Sequence, residues 1–172
     1  LILAATVTAQ ISDINIVAYN IAMLPPSQDY REERIKLVPN VVKDYEVVII
    51  SEAFDDDRRQ ELNQMLGDLG FSHSCILGSK DYGWCENGDH RSETCQDGGL
   101  IIYSKHEIIT QDQKRYYPIS CEEGRAGSYC FCADCYAKKG VLYVAIRKGD
   151  AIFHVFATHT QASYEKDALA FP

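Results

Sequence analysis

The sequence is poor in basic residues and contains no cluster of them. Lysine and arginine together number 17 against 25 aspartates and glutamates, so the formal net charge is -8. Proteins that grip a nucleic-acid backbone concentrate Lys and Arg side chains where they can neutralise phosphates. This composition therefore disfavours a nucleic-acid partner.

Long apolar runs are also missing. No stretch of the 172 residues reaches the roughly 20 apolar residues that a membrane-spanning helix needs. The sequence thus predicts a chain that is soluble, or peripheral to a membrane at most. With 46% hydrophobic and 24% charged residues, the composition is that of a folded globular protein, and the length allows one domain or part of a larger one.

The first ten residues are apolar or small and carry no charge. This pattern is typical of the end of a secretory signal peptide, with a small-residue cleavage site near Ala9. The alternative is a first β-strand, because Ile, Val and Thr also suit strands. We interpret residues 1–10 as a signal-peptide remnant and residues 11–172 as the folded part of the chain.

All seven cysteines fall between Cys75 and Cys135. Such a density is unusual in a cytosolic enzyme and favours a secreted, extracellular protein with disulfide bonds. The Cys-Phe-Cys and Cys-Ala-Asp-Cys spacings in residues 121–135 would also suit a zinc or redox site, but no histidine stands at zinc-finger spacing. We predict at least two disulfides within residues 75–135, and the odd count leaves one cysteine unpaired.

Apolar periodicity predicts an α/β protein. A helix with an apolar stripe of Ile35, Val38, Val41 and Val42 is predicted within residues 29–45, with a break or kink at Pro39. A second helix is predicted to follow an Asp55 or Asp56 cap and to close at Gly70. Strands are predicted at 13–20, 46–54, 71–77, 100–103 and 106–117, with a hairpin of 141–147 and 151–158.

Three of the predicted strands end in a polar residue, and these are Asn20, Glu52 and His159. The ends of central strands are where α/β proteins build their sites. A carboxylate, an amide and an imidazole around a divalent ion would suit phosphoryl chemistry, because oxygen ligands hold Mg²⁺ and a donor steadies the charge on the phosphate. The alternative for Glu52 alone is that it caps or solvates the loop before the next helix.

Asp97 and His154 are two further polar residues that could belong to a site. Asp97 precedes Gly98 and Gly99, which lack side chains and so allow another part of the protein to approach the backbone closely. Asp97 itself either faces a pocket or is only a residue of the Asp-Gly turn. His154 lies in the middle of a predicted strand, and we interpret it as an ordinary sheet histidine outside the site.

Five segments of the chain, in order, resemble successive motifs of the secreted, bacterial-type neutral sphingomyelinases. That family belongs to the endonuclease/exonuclease/phosphatase superfamily, which has the DNase I-like fold. The Met-Leu-Pro after the first asparagine and the Thr-His-x-Gln-Ala ending favour the sphingomyelinase branch over nucleases. The matching segments, which extend across about residues 14–162, are Asn15–Pro25, Ile50–Phe54, Gln96–Lys105, Lys139–Tyr143 and Phe156–Ala162.

The resemblance implies a four-layer α/β sandwich, with two central sheets and helices outside. It also implies Mg²⁺-dependent cleavage of sphingomyelin, or a related phospholipid at a membrane surface, to ceramide and phosphocholine. By the same resemblance Glu52 ligates the metal with Asn20 beside it, and His159 supports the phosphate in the transition state. Asp97 matches an aspartate behind the ligands or on the substrate side, and Lys139 matches a substrate-side or positional lysine.

The chain departs from the family in its later motifs. A Gly-Asp-x-Asn segment and an Asp-His pair that supplies the general base have no counterpart before Pro172. Residues 11–172 are therefore expected to form the N-terminal portion, roughly the first half, of the catalytic domain, and the chain alone is expected to be inactive. The alternatives are a non-catalytic, disulfide-stapled binding module and another phosphodiesterase or nuclease of the same superfamily.

Overall fold

The computed structural model describes residues 12–23, 30–78, 98–116 and 139–160. Neither helix of these ranges has the length and apolar character that crossing a bilayer requires. In chain order the elements of the described ranges are β1 (Ile16–Asn20), α1 (Arg31–Val42), β2 (Val47–Ser51), α2 (Asp56–Asp68), β3 (His73–Ile76), β4 (Ile101–Ser104), β5 (Glu107–Arg115), β6 (Gly140–Lys148) and β7 (Ala151–Thr158).

The strands form two sheets. The first sheet has the order β1-β2-β4-β3, in which β1 and β2 are parallel and the other pairs are antiparallel. The second sheet has the order β5-β6-β7 and is antiparallel throughout. Strands β6 and β7 form the predicted hairpin, whose tight turn contains Gly149 at a φ of 59°, a conformation that glycine adopts without strain.

Two hydrophobic cores separate three layers. One core lies between the two helices and the first sheet, and the other lies between the two sheets. Strand β2 contributes to both, because Val48 and Ile50 face the helices while Val47 and Ile49 face the second sheet. The prediction that this strand is buried on both faces is confirmed. The described residues thus supply three layers of the predicted four-layer sandwich.

Helix α1 differs from its prediction in two respects. Ile35, Val38 and Val42 are buried as expected, whereas Val41 is 46% exposed. Val41 is offset by about 100° around the helix from Val42, which turns it out of the apolar face. The predicted break at Pro39 is absent, since the helix extends to Val42 and the Lys43 N–H donates to the Pro39 carbonyl at 3.1 Å. A kink at Pro39, the other predicted outcome, stays a prediction.

Helix α2 follows its prediction. The side chain of Asp55 caps the helix by accepting a hydrogen bond from the Arg58 N–H at 3.1 Å. Leu62 and Leu66 are buried against the first sheet, and Gly70 follows the helix at a φ of 89°. Asp55 and Gly70 therefore lie at the two ends of α2 that the sequence predicted.

Several predictions concern residues outside the described ranges. These are the signal-peptide remnant at residues 1–10, Asp97, and every cysteine except Cys75. Cys75 is a free cysteine buried between the two sheets, and burial raises the pKa of its thiol to about 11. It therefore remains protonated at neutral pH. The disulfides within residues 75–135 stay a prediction.

The carboxylate of Glu46 links the two sheets near the start of β2. Oε1 of Glu46 lies 2.7 Å from the Lys148 Nζ and 2.8 Å from the His106 Nε2, and Oε2 accepts a hydrogen bond from the Asn15 N–H at 3.0 Å. These partners lie at the end of β6, between β4 and β5, and before β1. The hydrogen bonds from Lys148, Asn15 and His106 lower the pKa of Glu46 to about 2.

Glu46→Gln is expected to lower the free energy of unfolding by about 2 kcal/mol at pH 7, a figure reduced for partial solvent screening. Because the pKa of Glu46 is depressed in the folded protein, its stabilisation is complete above the ordinary value of 4.5 and is lost as the pH falls through about 2. The difference between wild type and variant should therefore shrink over that range. Urea unfolding of both proteins at a series of pH values measures this difference in stability.

Glu107→Gln is the control for this experiment. Glu107 pairs with Arg147 at 3.1 Å, but more than half of each side chain is exposed. An exposed pair of this kind contributes about 0–1 kcal/mol. A stability difference for Glu46→Gln that stays constant from pH 7 to pH 2 would contradict the role given to the carboxylate.

Candidate active site

Glu52 directly follows β2 and has an unusual backbone conformation. Its φ is 61°, in the left-handed region that residues other than glycine rarely adopt. Its carbonyl accepts a hydrogen bond from the Met23 N–H at 2.9 Å, and the next amide, that of Ala53, donates to the Gly99 carbonyl at 2.9 Å. Both hydrogen bonds are made by the peptide unit between Glu52 and Ala53, and they hold the chain in this conformation. The sequence predicted the position of Glu52 but not its strain.

The glycine segment before β4 makes this arrangement possible. Gly99 has a φ of 59°, and a Cβ at this position would stand 2.4 Å from a ring carbon of Phe54. Phe54 is buried two residues after Glu52. The predicted close backbone approach at Gly98 and Gly99 is confirmed at Gly99. Asp97, the preceding residue, lies outside the described ranges, so its role stays a prediction.

Asn20 lies beside Glu52 because β1 and β2 are parallel and in register, with Asn20 paired to Ser51. The side-chain Nδ2 of Asn20 donates to Oε1 of Glu52 at 2.9 Å. Its Oδ1 accepts a hydrogen bond from the Ala22 N–H at 2.8 Å. Asn20 thus orients the carboxylate through its amide nitrogen. Its role as a direct metal ligand stays a prediction.

His159 reaches the same carboxylate from the other sheet. It directly follows β7, and its Nε2 lies 3.6 Å from Oε1 of Glu52. Both side chains are less than 20% exposed. The side chains at the ends of β1, β2 and β7 therefore meet across the gap between the two sheets, as the pattern of strand ends indicated.

Lys139 is a buried cation next to this edge. It precedes β6, and its Nζ donates to the carbonyl of Thr160 at 2.9 Å. Because the start of β6 pairs with the end of β7, this hydrogen bond holds the segment that carries His159. The structure thus gives Lys139 a positional contact. Its predicted contact with substrate stays a prediction.

The side chains of Glu52, Asn20 and His159 would suit a Mg²⁺ ion that has few protein ligands. Asn20 and His159 both approach Oε1 of Glu52, which leaves Oε2 as the oxygen without such a contact among the described residues. Within those same ranges, no group of three or more His, Cys, Asp or Glu side chains surrounds a common point. Mg²⁺ usually keeps several waters and takes one or two carboxylates together with substrate phosphate. A single strand-end carboxylate fits that pattern.

Sequence reasoning missed two residues that contact the loops of this site. Arg34 of α1 and Arg59 of α2 each donate to backbone carbonyls just after Asn20 and Glu52, respectively. Each is the fourth residue of its helix, since α1 begins at residue 31 and α2 at residue 56. An arginine at the same place in both helices is the signal that could have found them.

No family model matches the chain. In sequence, it is 30% identical to sphingomyelinase C 2 of Leptospira interrogans over an alignment of 159 residues that covers 87% of this chain and 24% of that protein. It is 29% identical to a sphingomyelinase C of Bacillus cereus over an alignment of 171 residues that covers 92% of this chain and 46% of that protein. Over most of its own length, the chain is similar in sequence to bacterial sphingomyelinases.

Solved sphingomyelinase structures have the same fold. The sphingomyelinase C of Streptomyces griseocarneus superposes with a TM-score of 0.69 at 22% identity, over 90% of this chain and 51% of that one. A double mutant of Staphylococcus aureus β toxin with bound magnesium ions superposes with a TM-score of 0.66 at 27% identity, again over 90% and 51%. The chain therefore spans about half the length of each of these two proteins.

The same fold is also found in a more distant solved structure. An endonuclease/exonuclease/phosphatase family protein from Leptotrichia buccalis superposes with a TM-score of 0.52 at 12% identity. At that identity the likeness concerns the fold alone. The predicted fold class, the DNase I-like α/β sandwich, and the predicted resemblance to sphingomyelinases are both confirmed.

Proposed function

We propose that the protein is a Mg²⁺-dependent phosphodiesterase that hydrolyses sphingomyelin to ceramide and phosphocholine. The observation that carries the proposal is the meeting of Glu52, Asn20 and His159 at one edge of the two sheets. Relatives named sphingomyelinase C and phospholipase C support the class of substrate. The magnesium ions named for the β toxin structure support the choice of metal.

Glu52 is the residue assigned to the metal. Its Oε2 would hold Mg²⁺, while the hydrogen bond from Asn20 to Oε1 sets the direction of the carboxylate. Bound Mg²⁺ supplies positive charge that stabilises the developing charge of the phosphate in the transition state. The left-handed backbone of Glu52 and the two hydrogen bonds of the peptide unit after it keep this carboxylate in place without the metal.

His159 is the residue assigned to the phosphate. A protonated ring nitrogen at this position would donate to a phosphate oxygen whose negative charge grows during the reaction. The hydrogen bond from Lys139 to the Thr160 carbonyl restrains the backbone next to His159. The ring is therefore held before substrate binds, which avoids part of the entropic cost of ordering it in the transition state.

The attacking water also requires a base. An in-line displacement places the water on the face of the phosphate opposite to the leaving group, so one imidazole cannot stabilise the phosphate and also deprotonate that water. We assign the base to the part of the domain that corresponds to the unmatched half of the solved relatives. The 172-residue chain alone is accordingly proposed to be inactive.

Location and partner follow from the same proposal. We place the protein outside the cell, in contact with phospholipid headgroups at a membrane surface. Seven cysteines within 61 positions, from residue 75 to residue 135, support an oxidising compartment. The net charge of -8 supports a lipid substrate over a nucleic acid.

Phosphocholine release from sphingomyelin vesicles tests the proposal. The 172-residue chain and the full product of its gene are assayed side by side with Mg²⁺ and with EDTA. We expect release by the full product in Mg²⁺, none in EDTA, and none by the chain alone. Similar rates for both would place the base within the 172 residues. Vesicle binding by the full product without any release would favour a non-catalytic binding module.

A further inference from the structure

Each of the two helices sends an arginine back toward the loop that precedes it. Arg34 and Arg59 both stand at the end of the first helical turn. This end of a helix carries a partial positive charge, and it favours acidic residues over basic ones. Helix side chains also point toward the N-terminus. Two arginines at this position are therefore electrostatically unfavourable. Because their side chains point back along the helix, they reach backbone carbonyls of the loops that follow β1 and β2.

Arg34 binds the loop after β1. Its Nη1 donates to the carbonyl of Ile21 at 3.1 Å and to the carbonyl of Ala22 at 2.6 Å. Ala22 has a φ of 49°, so it is a second left-handed residue that is not glycine. Its N–H is the group that donates to Oδ1 of Asn20. Ala22 is thus held through its carbonyl by Arg34, and through its amide it orients Asn20.

Arg59 makes the corresponding contact after β2. Its Nη1 donates to the carbonyl of Ala53 at 3.1 Å, and Ala53 directly follows the left-handed Glu52. The side chain of Arg59 is only 15% exposed, and it also forms an ion pair with Asp56. The guanidinium is therefore restrained at the point where the chain leaves Glu52.

We propose that Arg34 and Arg59 are positioning residues that hold Ala22 and Glu52 in the left-handed conformation and so fix Asn20 against Glu52. The inference rests on the proposed function, because the carboxylate that is fixed is the one assigned to Mg²⁺. A guanidinium suits this task, since it is always charged and offers five N–H donors in one plane. Charge-assisted hydrogen bonds to the carbonyls offset the cost of the strained backbone.

Loss of either arginine would release this strain. Without Arg34, Ala22 relaxes toward negative φ, and its N–H no longer points at Asn20. Without Arg59, the peptide after Glu52 gains the same freedom. In both cases the carboxylate assigned to the metal samples more orientations, and Mg²⁺ binding weakens although the carboxylate itself is unchanged.

Amide hydrogen exchange tests the inference without any metal. Arg34→Met should accelerate exchange of the Met23 amide, which donates to Glu52, by about 10-fold or more. Arg59→Met should do the same for the Ala53 amide. Exchange at Ile50, in the middle of β2, should keep its wild-type rate in both variants.

Arg58→Met is the matched control. Arg58 is adjacent to Arg59 on the same helix, but it pairs with Glu61 at 3.0 Å on the helix surface. Its loss should leave exchange at the loop amides as in wild type. Calorimetric titration with Mg²⁺ then tests the link to the site, and we expect about 10-fold weaker binding for Arg34→Met and a change of less than about twofold for Arg58→Met.

Faster exchange confined to the loops, together with weaker Mg²⁺ binding, would support the inference. Wild-type exchange at Met23 and Ala53 in the variants would overturn it, and so would an equal acceleration at Ile50, which indicates global destabilisation. Faster loop exchange with unchanged Mg²⁺ affinity would overturn it as well. If wild-type protein binds no Mg²⁺, the proposed function fails, and the exchange rates alone decide the role of the arginines.

Discussion

Glu52→Gln is expected to reduce Mg²⁺-dependent phosphocholine release by about a thousandfold or more, because a bound metal contributes several kcal/mol of transition-state stabilisation. The substitution removes the negative charge that holds Mg²⁺ and keeps the length and shape of the side chain. The amide oxygen of Gln can still accept the hydrogen bond from Nδ2 of Asn20. Gln at position 52 is expected to adopt the same left-handed backbone conformation as Glu52, so the fold should be intact.

The measurement is the rate of phosphocholine release by the full gene product as a function of Mg²⁺ concentration, with calorimetric titration of the same samples. Glu61→Gln is the control, since it removes the same charge from the surface of α2, where Glu61 pairs with Arg58. That variant should release phosphocholine at the wild-type rate. Equal activity of wild type and Glu52→Gln at saturating Mg²⁺ would show that Glu52 does not hold the metal.

His159→Asn is expected to lower kcat by about 10²- to 10⁴-fold and to change KM much less. The imidazole is assigned to charge that develops on the phosphate during the reaction, and an interaction made only in the transition state acts on kcat. Since His159 is not assigned as a metal ligand, the affinity for Mg²⁺ should stay near that of wild type. This combination separates the role of His159 from that of Glu52.

His154→Asn is the matched control for this variant. His154 lies on β7, the same strand that His159 follows, and its Nδ1 is 2.8 Å from the hydroxyl of Tyr143 on the outer face of the second sheet. Its loss should leave both kcat and KM within about twofold of wild type. A higher KM with unchanged kcat in His159→Asn would mean that the ring only binds substrate, and the assignment would have to be withdrawn.

Local sequence patterns predicted the elements that position the site. Four consecutive β-branched residues, 47–50, form a strand with core on both faces, because either side of the pleat needs an apolar partner. Asp55 caps α2 because its side chain can bind an orphan backbone N–H of the first turn. These preferences depend on a few adjacent residues, and no long-range contact is needed to state them.

The outcomes for Val41 and Pro39 in α1 show where local pattern is insufficient. Val41 is as apolar as Val42, yet only Val42 reaches the core, because the orientation of the helix on the sheet decides which face is buried. Pro39 lacks a backbone N–H, and a helix can still continue when packing against the sheet through Ile35, Val38 and Val42 stabilises it. Both outcomes depend on tertiary packing.

The sequence by itself determined the strand ends at which Asn20, Glu52 and His159 appear, and the glycines that let Phe54 pack close to the backbone. Only the tertiary structure decided that the three side chains meet, since residues 20, 52 and 159 come together through strand pairing and sheet stacking. It also decided the left-handed conformation of Glu52. A non-glycine residue does not adopt that conformation by local preference, and hydrogen bonds from distant segments must hold it there.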